Sequence, residues 1–412
     1  MRSRDPASSG FGIDEAIDRL TRLRDLVHTA GLAIAGRLIA VADFDAKLDL
    51  AHHLYELMAA ARALGDRLGE LAVAQHRAVP ERRADRRLIA WLFAPADTPG
   101  FVARSHGLLL PALRDRAAGY AHETDALLDA PSLRVLRRLR ADLDAMIDAM
   151  DDWGAVASAG APPTDRATCA ALDALLDAPE GGHGPRPPRA TRCARDPRLT
   201  NFGGTRRYAV DDLPLPLRPT TPHAIDQLVM LRIQRDEIDA VETFANIIYD
   251  SEGLADADLE LLARMASDEA RHAAIGQREL ARLGLDPFAV PCGTIGIDVR
   301  AALAPELALM QINLFGEIHQ VRAIGAFAES AAARGDSMTA RAFAFIYSDE
   351  MRHVREGRQL LRWIADQAGT TLRALEARTR DAAAARLHAL GVLGEEYRRS
   401  IGDAELARIV GE

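Results

Sequence analysis

The sequence has little cysteine and no excess of positive charge. Its three cysteines, Cys169, Cys193 and Cys292, are odd in number and far apart, with no C-x-x-C pair. Neither a disulfide framework nor a thiolate metal site is therefore expected. The 51 basic and 60 acidic residues give a formal net charge of −9, which argues against a general nucleic-acid-binding protein.

Long hydrophobic runs are also missing. The most apolar stretch, 31–42, is short and contains Arg37, so no membrane span is expected. The N-terminus leads into polar sequence without an apolar signal core, and we therefore expect a cytoplasmic protein.

Aromatic residues make up only 5% of the chain, whereas apolar residues make up 48%. Ala, Leu, Arg and Asp dominate long stretches, a bias that favours helix over strand. A chain of 412 residues is long enough for two cores. The composition therefore predicts an all-α protein with two helical domains.

The N-terminal half is predicted to be a helical domain followed by a linker. Across 12–156 the apolar residues recur at three- and four-residue spacing, interrupted by prolines, which indicates several antiparallel helices. Across 157–221 proline, glycine and arginine accumulate, and only one short helix, near 167–178, is expected there. The arginines between 186 and 207 could contact an acidic substrate, a carrier protein or RNA, although a solvated loop is the simpler interpretation.

The segment 222–368 is predicted to hold four helices. They are Ala224–Tyr249, Leu259–Leu283, Glu306–Ala333 and Met338–Gln367. The irregular stretch 284–305 between the second and third is long enough to cross a bundle from end to end, which indicates a four-helix bundle with one long crossover. The remainder, 369–412, is expected to form a helical extension with a fifth helix from Leu372 to about Leu393.

Two segments of this second domain repeat the pattern S-D-E-x-R-H, namely Ser267–His272 and Ser348–His353. A single E-x-x-H is weak evidence, but the doubled and extended form is specific. Residues three apart share one face of a helix, so each segment offers a carboxylate and an imidazole to one point. The two pairs are Glu269 with His272, and Glu350 with His353.

A dinuclear site also needs acids from the two facing helices. Aligning the halves by their hexapeptides pairs Glu237 with Glu317, which precede Glu269 and Glu350 by 32 and 33 residues. Glu242 competes for the first position, but it lies only 27 residues before Glu269. Because Glu237 lies in an apolar stripe, its carboxylate would need a cation or another positive partner.

Four carboxylates and two imidazoles suit iron or manganese better than copper(I) or an iron–sulfur cluster. We therefore predict two iron ions, with manganese or a mixed pair as alternatives. Tyr347 precedes Glu350 by three residues on the same face. It is either a hydrogen-bonding or redox residue beside the metals or a core tyrosine. The predicted ligands are Glu237, Glu269, His272, Glu317, Glu350 and His353.

The order E, E-x-x-H, E, E-x-x-H over 222–367 is similar to the ferritin-like di-iron carboxylate superfamily. The fuller D-E-x-R-H form resembles its oxygen-activating branch, which includes bacterial multicomponent monooxygenases and demethoxyubiquinone hydroxylase. The resemblance implies that Asp268 and Asp349 orient the histidines and that Arg271 and Arg352 hold these aspartates. A rubredoxin-like cysteine module is absent from the sequence, which implies an external electron donor.

This resemblance implies an O₂-dependent oxidoreductase that oxidises or hydroxylates a small organic substrate, with the ligands at the reaction centre. Tyr347 is a secondary candidate for that centre because of its spacing from Glu350. Two alternatives stay open. One is iron or peroxide handling, as in ferritins and rubrerythrins, and the other is a metal-stabilised interaction protein without turnover. A homodimer is also compatible with the sequence.

The N-terminal domain shows a weaker likeness to the same motif. When 140–147 is aligned with it, Leu143 falls on the glutamate and Met146 on the histidine. A metal-free degenerate bundle and a chance similarity among leucine-rich helices are both open. One further metal-binding possibility, without a second carboxylate–histidine pair nearby, is the group His52, His53 and Glu56.

Overall fold

The computed structural model describes residues 10–74, 78, 83–153, 165–177, 220–288 and 294–391. The regular secondary structure in these ranges is helical, without a β-strand, which confirms the all-α prediction. No helix in the same ranges has the length and apolarity needed to cross a membrane. The arginine-rich part of the predicted linker, Cys193, Cys292 and the residues after 391 lie outside the described residues. Cys169 carries a free thiol.

The first of two compact units comprises Met1–Cys193 and Gly253–Ala263. Its helices are α1 (Ile13–Leu38), α2 (Phe44–Ala74), α3 (Arg86–Phe93), α4 (Thr98–Arg104), α5 (Leu110–Glu123), α6 (Ala130–Ala149) and α7 (Arg166–Asp177). A π-helical turn, Ser105–Leu109, separates α4 from α5. The last helix, α7, coincides with the short helix predicted near 167–178.

Helix α1 is the central helix of this unit. From Leu23 to Leu38 every residue is buried, as expected for a helix surrounded by others. It packs closely against α2, and α5 packs against α6. Short connections within each pair favour antiparallel neighbours.

The second unit comprises Ala194–Glu252 and Arg264–Glu412. The remaining helices are α8 (Pro222–Asp236), α9 (Ile238–Asp250), α10 (Asp256–Arg282), α11 (Ile295–Arg300), α12 (Pro305–Met310), α13 (Ile318–Ala333), α14 (Ser337–Gln367) and α15 (Leu372–Ala389). A second π-helical turn, Gln311–Glu317, separates α12 from α13.

Two helices predicted as continuous are interrupted. The predicted helix Ala224–Tyr249 breaks at Glu237, whose N–H bonds to the carbonyl of Gln234 three residues back, at 3.1 Å. The predicted helix Glu306–Ala333 contains the π-helical turn Gln311–Glu317. The hydrogen-bonded ring of a π-helical turn holds one more residue than that of an α-helix, which changes the direction of the side chains that follow. Both interruptions occur at predicted metal ligands.

The ends of the later helices follow the local sequence. Thr221 accepts a hydrogen bond from the N–H of Ala224 at the start of α8, and Asp336 does the same for Thr339 at the start of α14. These are preferred N-cap residues because their side chains satisfy free backbone donors. Gly335 adopts a φ of +78°, which allows the tight turn between α13 and α14.

Candidate metal centre

The two repeated motifs bring their acids and histidines to one buried point. Glu269 and His272 come from α10, and Glu350 and His353 come from α14; none of the four is more than 1% exposed. Ligand atoms of Glu269, Glu317, Glu350 and His353 all lie within 4.8 Å of one another. Five of the six predicted ligands thus converge, because His272 adjoins two members of this group.

The distances give the carboxylates different positions. Nδ1 of His272 lies 3.0 Å from Glu269 and 3.3 Å from Glu350. Nδ1 of His353 lies 3.1 Å from Glu269, 3.6 Å from Glu317 and 3.7 Å from Glu350. Glu269 and Glu350 therefore lie between the two imidazoles, as bridging ligands would, whereas Glu317 lies on the His353 side.

The aspartates of the motifs contact the histidines in a crossed arrangement. Nε2 of His272 lies 3.4 Å from Asp349, and Nε2 of His353 lies 3.3 Å from Asp268. Each aspartate therefore adjoins the histidine of the other motif. Because Nε2 faces an aspartate, the Nδ1 atom of each ring faces the carboxylates.

Two arginines connect these aspartates. Arg271 donates to Asp268 and to Asp349 at 2.7 Å each, and Arg352 pairs with both aspartates as well. Burial alone would raise the pKa of Asp268, but the His353 contact and the Arg352 charge outweigh it and lower that pKa to about 2. The network keeps both aspartates ionised and ties α10 to α14.

The carboxylates and histidines of the centre shift one another's pKa values. Burial and the charges of Glu269 and Glu317 raise the pKa of Glu350 to about 7. For Glu269 burial is outweighed by His272 and His353, which lower the pKa to about 2. Burial would lower the pKa of His272 and His353, yet their acidic neighbours raise both. Positive charge is therefore favoured at this point of the core.

Three ligand atoms of the group support a cation at its centre. Glu317 Oε1, Glu350 Oε2 and His353 Nδ1 are buried and have no aligned hydrogen-bond partner. Leaving such atoms without a partner is costly. A metal ion would satisfy all three, and oxygen and nitrogen donors without thiolate suit iron or manganese. The residues therefore fit the predicted metals.

The sixth predicted ligand is not a member of this group. Glu237 occupies the α8–α9 junction and is partly buried, whereas its competitor Glu242 is fully buried. Neither belongs to the four-residue group. The assignment of Glu237 stays a prediction.

Replacing Glu237 with alanine is expected to lower the metal content or affinity by about tenfold or more, because it would remove one ligand. Glu242→Ala should leave metal binding unchanged. Metal analysis after dialysis against a chelator compares the two variants. Full occupancy in Glu237→Ala together with loss in Glu242→Ala would reverse the assignment.

Tyr347 also lies outside the group. Its side chain is 39% exposed, and its ring lies against Gly325, where an added Cβ would be 3.2 Å from a ring carbon. Its position on the same helix as Glu350 does not bring it to the ligand atoms gathered there.

Asn313, in the π-helical turn, is a site residue that the sequence analysis missed. It is fully buried, and its Nδ2 donates to Glu317 at 2.6 Å and to the carbonyl of His353 at 3.4 Å. Gly357 makes room for it, because a Cβ there would lie 2.6 Å from the Asn313 amide carbon. Its place four residues before Glu317 was the available signal.

Asn313→Ala is expected to weaken metal affinity by about ten- to a hundredfold, the usual effect of losing a partner that orients a ligand. Gln227→Ala is the matched control, since this buried amide bonds to Asp336 instead. Competition with a chromophoric chelator measures both affinities. Equal affinity in the two variants would leave Asn313 without a role in positioning Glu317.

The described residues of the first unit offer no comparable group. Nδ1 of His53 lies 3.1 Å from Nε2 of His106, and Glu56 accepts a hydrogen bond from Arg138. Among the residues that the structure describes, the group around Glu269 is the one convergent set of possible ligands.

No family model matches the chain, and no curated protein or solved structure matches it either. The ferritin-like resemblance therefore depends on the repeated motif and on the side-chain geometry.

Proposed function

We propose that the second unit is a ferritin-like di-metal carboxylate domain that binds two iron ions and uses O₂ to oxidise or hydroxylate a small organic substrate. The observation that carries the proposal is the buried position of Glu269 and Glu350 between His272 and His353. Two E-x-x-H pairs that share carboxylates in this way are the arrangement of di-iron proteins.

Each residue of the centre has a distinct role in this proposal. Glu269, Glu350, Glu317 and the two histidines would hold the ions, with Glu269 and Glu350 placed between the histidines and Glu317 on the His353 side. Asp268 and Asp349 keep the Nε2 protons in place, so that each Nδ1 lone pair faces the centre. When bound, a pair of reduced iron ions supplies the electrons that activate O₂.

Apolar side chains border the centre and would exclude water from it. The Phe244 ring lies 6.4 Å from that of His353, and Phe244 is fully buried. Farther along α13 and α14, Ile324, Phe343 and Ile346 are equally buried. Such surroundings suit an organic substrate. This favours substrate oxidation over iron storage.

The test is anaerobic loading with Fe(II), followed by O₂. We expect about two Fe per chain, O₂ consumption in a single turnover, and both Fe(III) ions retained. Repeated oxidation of added Fe(II), with tens of ions accumulating per chain, would replace the proposal with a ferritin-type role. Iron binding without O₂ consumption would instead favour a metal-stabilised interaction protein. An external reductant should be needed for further turnovers.

A further inference from the structure

The two units contain the same unusual ion pair in their central helices. In α1, Nε and Nη2 of Arg24 both donate to one oxygen of Asp25, at 2.9 and 2.7 Å. In α8, Nε and Nη2 of Arg235 donate to one oxygen of Asp236, at 3.0 and 2.5 Å. All four residues are buried. A buried pair of adjacent residues with the same bonding pattern is a specific marker, because such pairs are costly to bury.

A glycine follows each arginine at the same distance along the chain. Gly65 in α2 and Gly276 in α10 each lie 41 residues after their arginine. A Cβ on Gly276 would lie 2.2 Å from the backbone nitrogen of Arg235, whereas one on Gly65 would lie 3.9 Å from the side-chain Cδ of Arg24 and 2.8 Å from an oxygen of Asp256. Helices α1 and α2 of the first unit therefore correspond to α8 and α10 of the second at one constant offset of 211 residues.

The later helices of the two units correspond at a second constant offset in residue number. Asp129 precedes α6 and Asp336 precedes α14, an offset of 207 residues. Three residues after each aspartate lies a fully buried hydroxyl, Ser132 or Thr339. Both units also have a π-helical turn before the preceding helix, so the likeness extends to a rare backbone feature.

With these two offsets, each predicted ligand position of the second unit corresponds to a buried apolar residue of the first unit. Leu26 precedes Met58 by 32 residues, as Glu237 precedes Glu269, and Leu110 precedes Leu143 by 33, as Glu317 precedes Glu350. The residues of the first unit at the six positions, none more than 2% exposed, are Leu26, Met58, Ala61, Leu110, Leu143 and Met146.

A buried polar residue beside the ligands, Asn313, also has a counterpart in the first unit. His106, in the first π-helical turn, corresponds to Asn313 in the second, and both are fully buried. His106 bonds to Ser105 and adjoins His53, whereas Asn313 bonds to the ligand Glu317. This position therefore holds a buried polar residue in both units, although the corresponding ligand position is Glu317 in the second unit and Leu110 in the first.

We propose that the first unit is a second copy of the metal bundle whose centre is closed by apolar side chains. This proposal rests on the proposed function, which identifies the six ligand positions. Replacing a complete buried polar cluster by apolar residues leaves no unpaired charge and can be neutral or stabilising. The first unit is thus a latent metal site that folds without metal, and the chain has one working centre.

The test restores two ligand pairs in the full-length chain. The restored variant carries Met58→Glu, Ala61→His, Leu143→Glu and Met146→His. The matched control carries Leu54→Glu, Leu57→His, Leu136→Glu and Leu139→His, the same residue types one turn earlier in α2 and two turns earlier in α6, at positions that are equally buried. Bound Co(II) per chain and its visible absorption are measured after gel filtration.

The restored variant should bind about one to two more Co(II) ions than the wild-type chain, and the control none. If either variant needs metal to fold, circular dichroism during refolding with Co(II) gives the same comparison. No difference between the variants in binding or in metal-assisted folding would overturn the proposal. A wild-type chain without bound metal would instead refute the proposed centre of the second unit.

A second measurement leaves the core of the first unit unchanged. The chain with Glu269→Ala and Glu350→Ala should retain fewer than about 0.1 metal ions per chain, because the first unit offers no ligands at the equivalent positions. Retention of one or more ions would show that the first unit holds a working site, and the closed-centre proposal would fail.

Discussion

Replacing Glu269 with alanine is expected to reduce bound iron from about two ions per chain to fewer than about 0.2. Its two oxygens lie 3.0 Å from His272 Nδ1 and 3.1 Å from His353 Nδ1. In the proposed centre a carboxylate in that position would serve both ions, so its removal would take a donor from each. Elemental analysis after chelator dialysis measures the loss.

Two comparisons make this result specific. Glu279→Gln changes an equally buried acid of α10, one paired with Arg278 and Arg282, and should keep about two ions. Glu317→Ala should lose about one ion, since Glu317 adjoins His353 alone among the two histidines. If Glu269→Ala retained one tightly bound ion, Glu269 would be a terminal ligand and the bridging assignment would be wrong.

The sequence predicted those features that depend on local periodicity. The helical class, α7 and α14 follow from apolar spacing and prolines. The convergence of α10 and α14 on one point follows from E-x-x-H, because residues three apart share a helix face whatever the neighbours are. This is why the repeated hexapeptide alone could predict that Glu269, His272, Glu350 and His353 lie together.

Features that depend on non-local packing could not be predicted. The break at Glu237 and the π-helical turn through Asn313 replace regular hydrogen bonds, and no proline or glycine marks the break. Each aspartate contacts the histidine of the other motif, and this contact depends on how α10 and α14 pack against each other. Tyr347 illustrates the limit, since a shared face with Glu350 did not bring its ring to the centre.

Acidification is expected to destabilise the first unit strongly through His53 and His106. The two rings adjoin each other, with Nδ1 of His53 3.1 Å from Nε2 of His106, and both pack on Trp153. Burial, with the charge of His52 as a smaller cause, lowers the pKa of His53 to about 3. Burial and the charge of His53 lower the pKa of His106 as well.

Both rings are therefore neutral in the folded unit and take up protons readily only when it unfolds. Because each folded pKa lies below the unfolded value, the stability contribution is complete above about pH 6.5 and is lost as the pH falls towards 3. For His53 alone the free energy of unfolding should fall by about 3 kcal/mol between pH 7 and pH 4. His106 acts in the same direction.

Two other polar groups, Ser105 and Asp49, lie beside the rings or their Trp153 neighbour. Ser105 bonds to His106 and does not titrate. Asp49 accepts a hydrogen bond from Trp153, and burial raises its pKa, so its contribution has the opposite sign. The histidine effect is therefore best isolated as a difference between chains that both contain Asp49.

The measurement compares urea unfolding of the full chain with that of the His53→Asn, His106→Asn variant. Both carry Trp91→Phe and Trp363→Phe, so that Trp153 reports on the first unit. The double variant should be less stable at pH 7 because its packing changes, yet its unfolding free energy should fall much less on acidification, since two titrating groups are gone. Parallel pH profiles for the two chains would mean that the buried histidines do not control the acid stability of this unit.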